Sequence, residues 1–263
     1  MRHVTSPDGT TISCDTCGSG PPLVLVHGAF STHVTNWEFV RPPLERRFTQ
    51  YAIARRGRGE TDATDGHGLA DEAEDAAAVI RAVGMPVFLL GHSYGAHVAL
   101  LAATLVPEAV RKLVLYEPAR PSLFTPEAMA ALEALARHGD WDGFAWSFFR
   151  DCLQVPEQEL EEVRSSALWP PIIDDAPATL GDLRALSRYD FAPERFRAVR
   201  CPTLLQIGTL SPRDLYATDA LAGVLPDVRI GELQGQAHEG MTTAPEQYAE
   251  AVATFLLESR AQD

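Results

Sequence analysis

Residues 87–106, VFLLGHSYGAHVALLAATLV, decide the fold of this 263-residue chain. Four apolar residues, 87–90, predict a buried strand, and the Ala- and Leu-rich run 96–106 predicts a close-packed helix. Residues 91–95 between them match G-x-S-x-G, in which the glycines on either side of the serine let strand and helix approach closely. This strand–turn–helix unit predicts that Ser93 is presented at the sheet edge as a nucleophile; the alternative is an ordinary turn serine.

Composition and charge narrow the class of protein. The length fits one large domain or a domain with an insertion, and a 46% hydrophobic content provides a substantial core. The net charge of −14 argues against surfaces for nucleic acid or anionic membranes, which need clustered Lys and Arg. We therefore expect no nucleic-acid or membrane partner, and a homodimer is left open.

Cysteine use favours a reducing, cytoplasmic location. Of the four cysteines only Cys14 and Cys17 form a C-x-x-C pair, which alone is a weak metal or redox signal. The first ten residues lack the apolar run of a signal peptide, and no stretch approaches the roughly 18 apolar residues of a membrane span. Residues 57–66, GRGETDATDG, match neither a P-loop nor a dinucleotide fingerprint and indicate a surface loop. We expect no metal and no cofactor.

Strand-like and helix-like segments alternate along much of the chain. Apolar runs predict strands at residues 22–27, 51–54, 87–90, 113–116, 203–207 and 228–233, with helical patterns at 69–83, 96–106 and 245–257. This alternation is typical of parallel β–α–β units with both sheet faces covered. The alternation stops between Arg120 and Arg197, where prolines divide helical segments. We expect a helical insertion there, over the carboxyl ends of the strands, where open α/β sheets bind ligands.

Three further segments resemble those of a known family. HGAF at residues 27–30 follows a predicted strand, ARRGRGETD occupies residues 54–62, and GQAHEGM occupies residues 235–241. Together with GHSYG they resemble the α/β-hydrolase superfamily over nearly the whole sequence. The chain departs from the family's D-x-x-G-x-G-x-S/T segment at Ala54, where an Asp is usual.

The resemblance implies a fold and a domain organisation. The expected architecture is a mostly parallel, eight-stranded α/β-hydrolase sheet flanked by helices. Residues 1–119 and 198–263 would form this core domain. Residues 120–197 would form a helical cap inserted after the sixth strand.

A serine hydroxyl needs an adjacent base to act as a nucleophile. Of the eight histidines, His238 follows the last predicted strand and lies in the segment that resembles the family's histidine loop. Its imidazole titrates near neutral pH, as a general base requires. His27 and His92 flank the predicted active-site turns and are expected to brace them, and His97 is expected to pack inside a helix.

The oxyanion of a tetrahedral intermediate needs two backbone donors. One is the N–H of Tyr94, the residue after the serine. The resemblance points to Ala29 for the other, with Phe30 as the less favoured alternative. The ring of Phe30 is expected to line an acyl pocket instead.

The histidine needs a carboxylate to orient it. The resemblance to the family implies two candidate positions for this acid. After the strand at 203–207 the usual position is filled by Leu210, and Asp214 lies further on, where its charge suits a helix N-terminus. After the strand at 113–116 comes Glu117, a charged residue at the end of a buried strand, which is costly unless paired. The resemblance allows this position, since haloalkane dehalogenases and zearalenone-type lactonases have their acid there. We expect Glu117, with Asp214 or no acid as the alternatives.

Aromatic residues in the expected cap favour an apolar or aromatic substrate. Trp169, followed by two prolines, is a candidate to overhang the serine, although such residues also pack a cap onto its core. The sequence predicts a cofactor-independent serine hydrolase of a carboxylic ester or lactone with an apolar portion. A C–C bond hydrolase, a thioesterase and a perhydrolase share the same triad. A non-catalytic ligand-binding protein on the same fold is the alternative of another class.

Overall fold

The computed structural model describes residues 1–64 and 66–259. The strands are β1 (Arg2–Thr5), β2 (Thr11–Cys17), β3 (Pro22–Val26), β4 (Thr49–Ile53), β5 (Val87–His92), β6 (Val110–Tyr116), β7 (Thr203–Gly208) and β8 (Val228–Leu233). The α-helices are α1 (Arg41–Glu45), α2 (Leu69–Val83), α3 (Tyr94–Leu105), α4 (Pro126–Arg137), α5 (Trp141–Ser147), α6 (Glu157–Arg164), α7 (Trp169–Ser187), α8 (Thr218–Ala222), α9 (Gly240–Thr243) and α10 (Pro245–Leu257).

The strands form one eight-stranded sheet in the order β1-β2-β4-β3-β5-β6-β7-β8. Only β2 runs antiparallel to its neighbours, and every pair from β4 to β8 is parallel. The predicted mostly parallel, eight-stranded sheet is confirmed. The apolar runs did not indicate β1 and β2, because β1 is largely exposed and β2 mixes polar with apolar residues.

Both faces of the sheet are covered. Helices α2 and α3 pack on one face, and α1 and α10 pack on the other, so β3 and β5 are buried along their whole length. Continuous apolar strands of this kind are typical of parallel sheets. Strands β5, β6 and β7 are neighbours and run parallel, so their carboxyl ends lie side by side at one edge of the sheet. The residue that follows each strand there can carry a functional side chain.

Residues 120–197, all of them described, form helices and no strand. They include α4 to α7 and a π-helical turn at Phe148–Cys152. Helix α7 starts at Trp169 with two prolines in its first turn, a position where the missing N–H groups cost little. In the described part of the chain no helix is both long and apolar enough to cross a membrane.

The loop after β4 differs from its expected role. The interpretation of residues 57–66 as a surface loop is wrong for Arg58 and Thr61, which are both buried. Glu60 and Asp62 do lie exposed, and residue 65 is outside the described residues. The pattern misled because an arginine is seldom buried unless it is paired, and its partners lie more than a hundred residues away.

Candidate active site

Ser93 sits at the sharp turn between β5 and α3. Its backbone has φ 53° and ψ −117°, a conformation that side-chain-bearing residues rarely adopt, and its N–H donates to Tyr116 O at 2.8 Å. An added Cβ at Gly95 would lie 2.3 Å from the carbonyl oxygens of Val26 and His27. The glycine is therefore required for α3 to begin this close to the end of β3.

Glu117 and His238 form a hydrogen-bonded pair at the same edge. His238 Nδ1 lies 2.7 Å from Glu117 Oε2, and the glutamate side chain is fully buried while 14% of the histidine side chain is exposed. The second carboxylate oxygen accepts the N–H of Gly208 at 2.7 Å. Both oxygens of this buried carboxylate thus have a donor, as a buried charge requires.

The backbone around Glu117 explains how an acid after β6 reaches the histidine. Glu117 has φ 47°, and its N–H donates to Gln206 O at 3.1 Å, so the ladder with β7 continues one residue past β6. Gly208 ends β7 without a side chain, and a Cβ there would lie 2.2 Å from Gln236 O. The absence of that Cβ lets the loop that carries His238 approach β7.

Two tyrosines hold His238 in place. The hydroxyl of Tyr116, the last residue of β6, donates to Ala237 O and accepts the N–H of Gly240 at 3.2 Å. It therefore binds the chain on both sides of the histidine. The ring of Tyr216 stacks on the imidazole, with centroids 5.2 Å apart and an angle of 16° between the planes. These contacts restrict the imidazole to one orientation.

The surroundings shift the pKa values of two neighbouring histidines, His238 and His92, in opposite directions. Burial alone would lower the pKa of His238, but the hydrogen bond and charge of Glu117 raise it above its ordinary value. His92, whose ring centroid lies 4.7 Å from that of His238, has a pKa well below the ordinary value because of burial and the nearby charge of His238. His238 is the one suited to accept a proton near neutral pH.

Asn36 ties the HGAF loop to the serine turn. Its Oδ1 accepts the N–H of Gly28 at 2.9 Å, which identifies this atom as the oxygen. His92 Nδ1, 3.0 Å away, must then be the donor to it. The same oxygen accepts the hydroxyl of Ser31 at 2.9 Å. The bracing role expected of His92 is thus the contact that the structure displays.

Phe30 is buried against residues of the segment 120–197. Its N–H donates to Thr179 Oγ1 of α7 at 2.7 Å, so this less favoured oxyanion donor already has an acceptor within the protein. The assignment of Ala29 as the donor stays a prediction. The Phe30 side chain is 6% exposed and its ring contacts those of Phe144 and Phe148, with centroids 5.6 and 4.7 Å apart. In this arrangement the ring packs α5 and the π-helical turn onto the core.

Trp169 is also packed. It is 6% exposed, its Nε1 donates to Asp142 Oδ1 at 2.8 Å, and its ring centroid lies 6.3 Å from that of Phe149. Both of these partners lie within residues 120–197. A role for Trp169 or Phe30 in binding substrate stays a prediction.

The alternative acid lies apart from the histidine pair. Asp214 is exposed in a short 3₁₀ turn at Arg213–Leu215, and the carboxylate that His238 contacts is that of Glu117. Leu210 is 68% exposed, and its N–H donates to Gln236 O at 2.9 Å. The position usual for the acid thus holds an exposed apolar residue.

Some described side chains are close enough to share a metal ion. Two groups have ligand atoms within 4.8 Å of one another: His92, His238 and Glu239; and His67, Glu72 and Asp182. The first group contains the histidine paired with Glu117. In the second, both carboxylates already accept hydrogen bonds from Arg55, so their charge is compensated within the protein.

The sheet order, the serine turn and the acid–histidine pair agree with one family. A model described as the alpha/beta hydrolase family matches residues 23–251. The chain belongs to the alpha/beta hydrolase family.

Several of its relatives are hydrolytic enzymes. The 2-(acetamidomethylene)succinate hydrolase of Mesorhizobium japonicum is 28% identical over 264 residues, covering 91% of this chain and 89% of its own. The pimeloyl-[acyl-carrier protein] methyl ester esterase of Methylococcus capsulatus is 32% identical over 190 residues, covering 67% and 71%. The structure of an alpha/beta hydrolase from Sphaerobacter thermophilus is similar with a TM-score of 0.84 and 31% identity, covering 97% and 100%. The protein is therefore a hydrolytic enzyme of this family.

Sequence reasoning missed three side chains that build the site. Asn36 lies in a loop without a motif, and Tyr216 lies between two short helical turns, so neither carries a sequence signal. Tyr116 did have one, since it is a polar-tipped residue that directly precedes Glu117 at the end of an apolar strand. A buried tyrosine hydroxyl usually needs a partner, and that requirement could have pointed to the histidine loop.

Proposed function

We propose that this hydrolase cleaves a carboxylic ester or lactone with an apolar portion through an acyl-enzyme on Ser93. The observation that carries the proposal is the buried Glu117 carboxylate, which Gly208 holds on one oxygen and His238 Nδ1 contacts on the other. An Nδ1–H fixed in this way leaves Nε2 as the free base. The esterase relative supports the ester bond as substrate.

In the proposed reaction the Ser93 hydroxyl attacks the carbonyl carbon while His238 Nε2 takes its proton. The oxyanion that forms is held by the backbone N–H groups of Tyr94 and Ala29. The intermediate collapses, the leaving alkoxide takes the proton from His238, and the acyl group stays on Ser93. Water, deprotonated by His238, then attacks the acyl-enzyme and releases the acid. Glu117 remains ionised and stabilises the imidazolium in both steps.

The proposal includes three further assignments. Residues 120–197 are a cap whose aromatic side chains, Trp169 among them, meet the apolar portion of the substrate together with Phe30 of the HGAF loop. The reaction requires no metal and no cofactor. The low cysteine content favours a cytoplasmic location.

A fluorophosphonate probe and a substrate panel test the proposal. We expect the probe to label Ser93 in the wild type, and Ser93→Ala to remove both labelling and turnover. The panel compares p-nitrophenyl esters, thioesters, lactones and vinylogous 1,5-diketones, and esters or lactones should give the highest kcat/KM. A preference for the diketones would indicate C–C hydrolysis. An unlabelled wild type without turnover would indicate a non-catalytic binding protein.

A further inference from the structure

Two buried arginines join helix α7 to the core beside the HGAF loop. Arg55 and Arg58 follow β4 and are 3% and 4% exposed. Both bind the fully buried Asp182 of α7, each with a guanidinium nitrogen 2.7 Å from Oδ2. Arg58 also forms a two-point contact with Asp175, at 2.9 and 3.0 Å. Loss of one partner from a buried ion pair leaves an uncompensated charge and strongly destabilises the folded protein. These pairs therefore hold α7 at a defined position.

Arg55 also fixes the peptide that precedes Ala29. Its Nε donates to His27 O at 3.0 Å and its Nη2 donates to Gly28 O at 2.8 Å. The carbonyl of Gly28 and the N–H of Ala29 belong to the same planar peptide and point in opposite directions. A guanidinium that holds the carbonyl therefore sets the direction of the Ala29 N–H.

Thr179 fixes the peptide that follows Ala29. Its Oγ1 accepts the N–H of Phe30 at 2.7 Å, and its hydroxyl donates to Asp175 Oδ2 at 2.8 Å. Phe30 has φ 53°, a left-handed conformation that residues with a side chain seldom adopt, so it depends on such contacts.

The residues that α7 contributes lie on one face of the helix. Asp175, Thr179 and Asp182 are spaced i, i+4 and i+7. Thr179 contacts the peptide after Ala29 directly, and Asp182 reaches the peptide before Ala29 through Arg55. The Arg55 guanidinium also lies 4.4 Å from the ring centre of Tyr94, the residue that carries the other backbone donor.

We propose that Arg55 and the α7 face formed by Asp175, Thr179 and Asp182 are positioning residues for the oxyanion hole, so that the seating of α7 sets the direction of the Ala29 N–H. This inference rests on the proposed function, which assigns that N–H to the oxyanion. None of these side chains touches the substrate. They act through the backbone of the HGAF loop.

A positioning role predicts a specific kinetic signature. The oxyanion exists in the transition state and not in the bound ester, so a displaced donor lowers kcat with little change in KM. Loss of a whole oxyanion donor costs about 10²–10³-fold in kcat, and a displaced donor should cost about 10-fold or more. The affinity for a trifluoromethyl ketone, whose hemiketal with serine carries the oxyanion, should fall by the same factor.

Thr179→Val is the decisive variant, because it keeps the side-chain shape and removes the acceptor for the Phe30 N–H. Thr179→Ser restores the hydroxyl and should return kcat and ketone affinity to near the wild-type values. Thr203→Val is the matched control, since Thr203 is equally buried at the amino end of β7, the opposite edge of the sheet. It should leave both quantities unchanged. Substrate is p-nitrophenyl butyrate, and melting temperatures are measured for every variant.

Two results would overturn the inference. One is a Thr179→Val enzyme with a lower melting temperature but unchanged kcat and ketone affinity, which would make the contact purely structural. The other is a lower kcat without a matching loss of ketone affinity. Should Thr179→Val fail to fold, Asp182→Asn provides the same readouts with an acceptor retained. Failure of the proposed function is seen separately, as a wild type without Ser93-dependent hydrolysis.

Discussion

Replacement of Glu117 by glutamine exchanges one carboxylate oxygen for an NH₂ group and tests whether Glu117 is the acid that orients His238. The Gly208 N–H needs an acceptor, so the amide oxygen of the new side chain would remain on Gly208. The amide nitrogen would then face His238 Nδ1 and donate to it. This reverses the tautomer, because the proton of the neutral imidazole moves to Nε2, the atom that must accept the proton of Ser93.

The expected loss of kcat is large. A triad carboxylate replaced by its amide with the geometry retained costs about 10⁴-fold in kcat, or about 5 kcal/mol of transition-state stabilisation. The pH profile should also shift. Wild-type activity rises with pH as His238 loses its proton, at a pKa that Glu117 raises above the ordinary value near 6.5. Without that carboxylate the residual activity should rise at lower pH.

The assay is kcat and kcat/KM for a p-nitrophenyl ester between pH 5 and 9. Asp214→Asn is the control, since this exposed side chain lies outside the pair and its replacement should leave turnover within about twofold. Turnover near the wild-type level in Glu117→Gln would refute the assignment of Glu117. A large loss in Asp214→Asn would point to Asp214 instead.

Three other substitutions test separate parts of the site. Tyr116→Phe leaves the Ala237 carbonyl and the Gly240 N–H unpaired, so the free energy of unfolding should fall by about 1–3 kcal/mol, measured as a lower melting temperature. Because these contacts hold the histidine loop, kcat should also fall about 10-fold. Gly208→Ala places a Cβ 2.2 Å from Gln236 O, which should displace the histidine loop and abolish turnover in a protein whose circular dichroism still shows the fold. Trp169→Ala should lower stability by about 3–5 kcal/mol in urea unfolding and raise KM for long-chain esters; an unchanged KM would exclude Trp169 from the pocket.

The parts of the molecule that the sequence predicted are those with local signals. The β5–turn–α3 unit is encoded within twenty consecutive residues, and α2 and α10 have the predicted bounds because their apolar spacing is regular. The pairing of Glu117 with His238 joins residues 121 positions apart. It was nevertheless open to prediction, since a carboxylate after a buried strand needs a partner.

The parts that escaped prediction depend on long-range pairs without a periodic pattern. Arg58 and Asp182 are 124 residues apart, and neither the glycine-rich loop after β4 nor α7 indicates the other in sequence. Asn36 is similar in its contact with His92, 56 residues away, which becomes visible only when β3 and β5 are adjacent; Gly28 and Ser31 lie in its own loop. Burial of a polar side chain is a property of the assembled fold, and composition does not reveal it.

Three of the four described non-glycine residues with positive φ belong to the proposed site: Phe30 in the HGAF loop, Ser93 at the turn and Glu117 at the end of β6; the fourth is Gln154. Each conformation is unfavourable by roughly 1–3 kcal/mol and persists because the surrounding fold enforces it. The enzyme is thus less stable than its fold allows, and most of this loss of stability falls on residues that we propose act in the reaction. Glycine at position 93 would be expected to raise the melting temperature of an inactive protein, so selection for thermostability alone would act against the site.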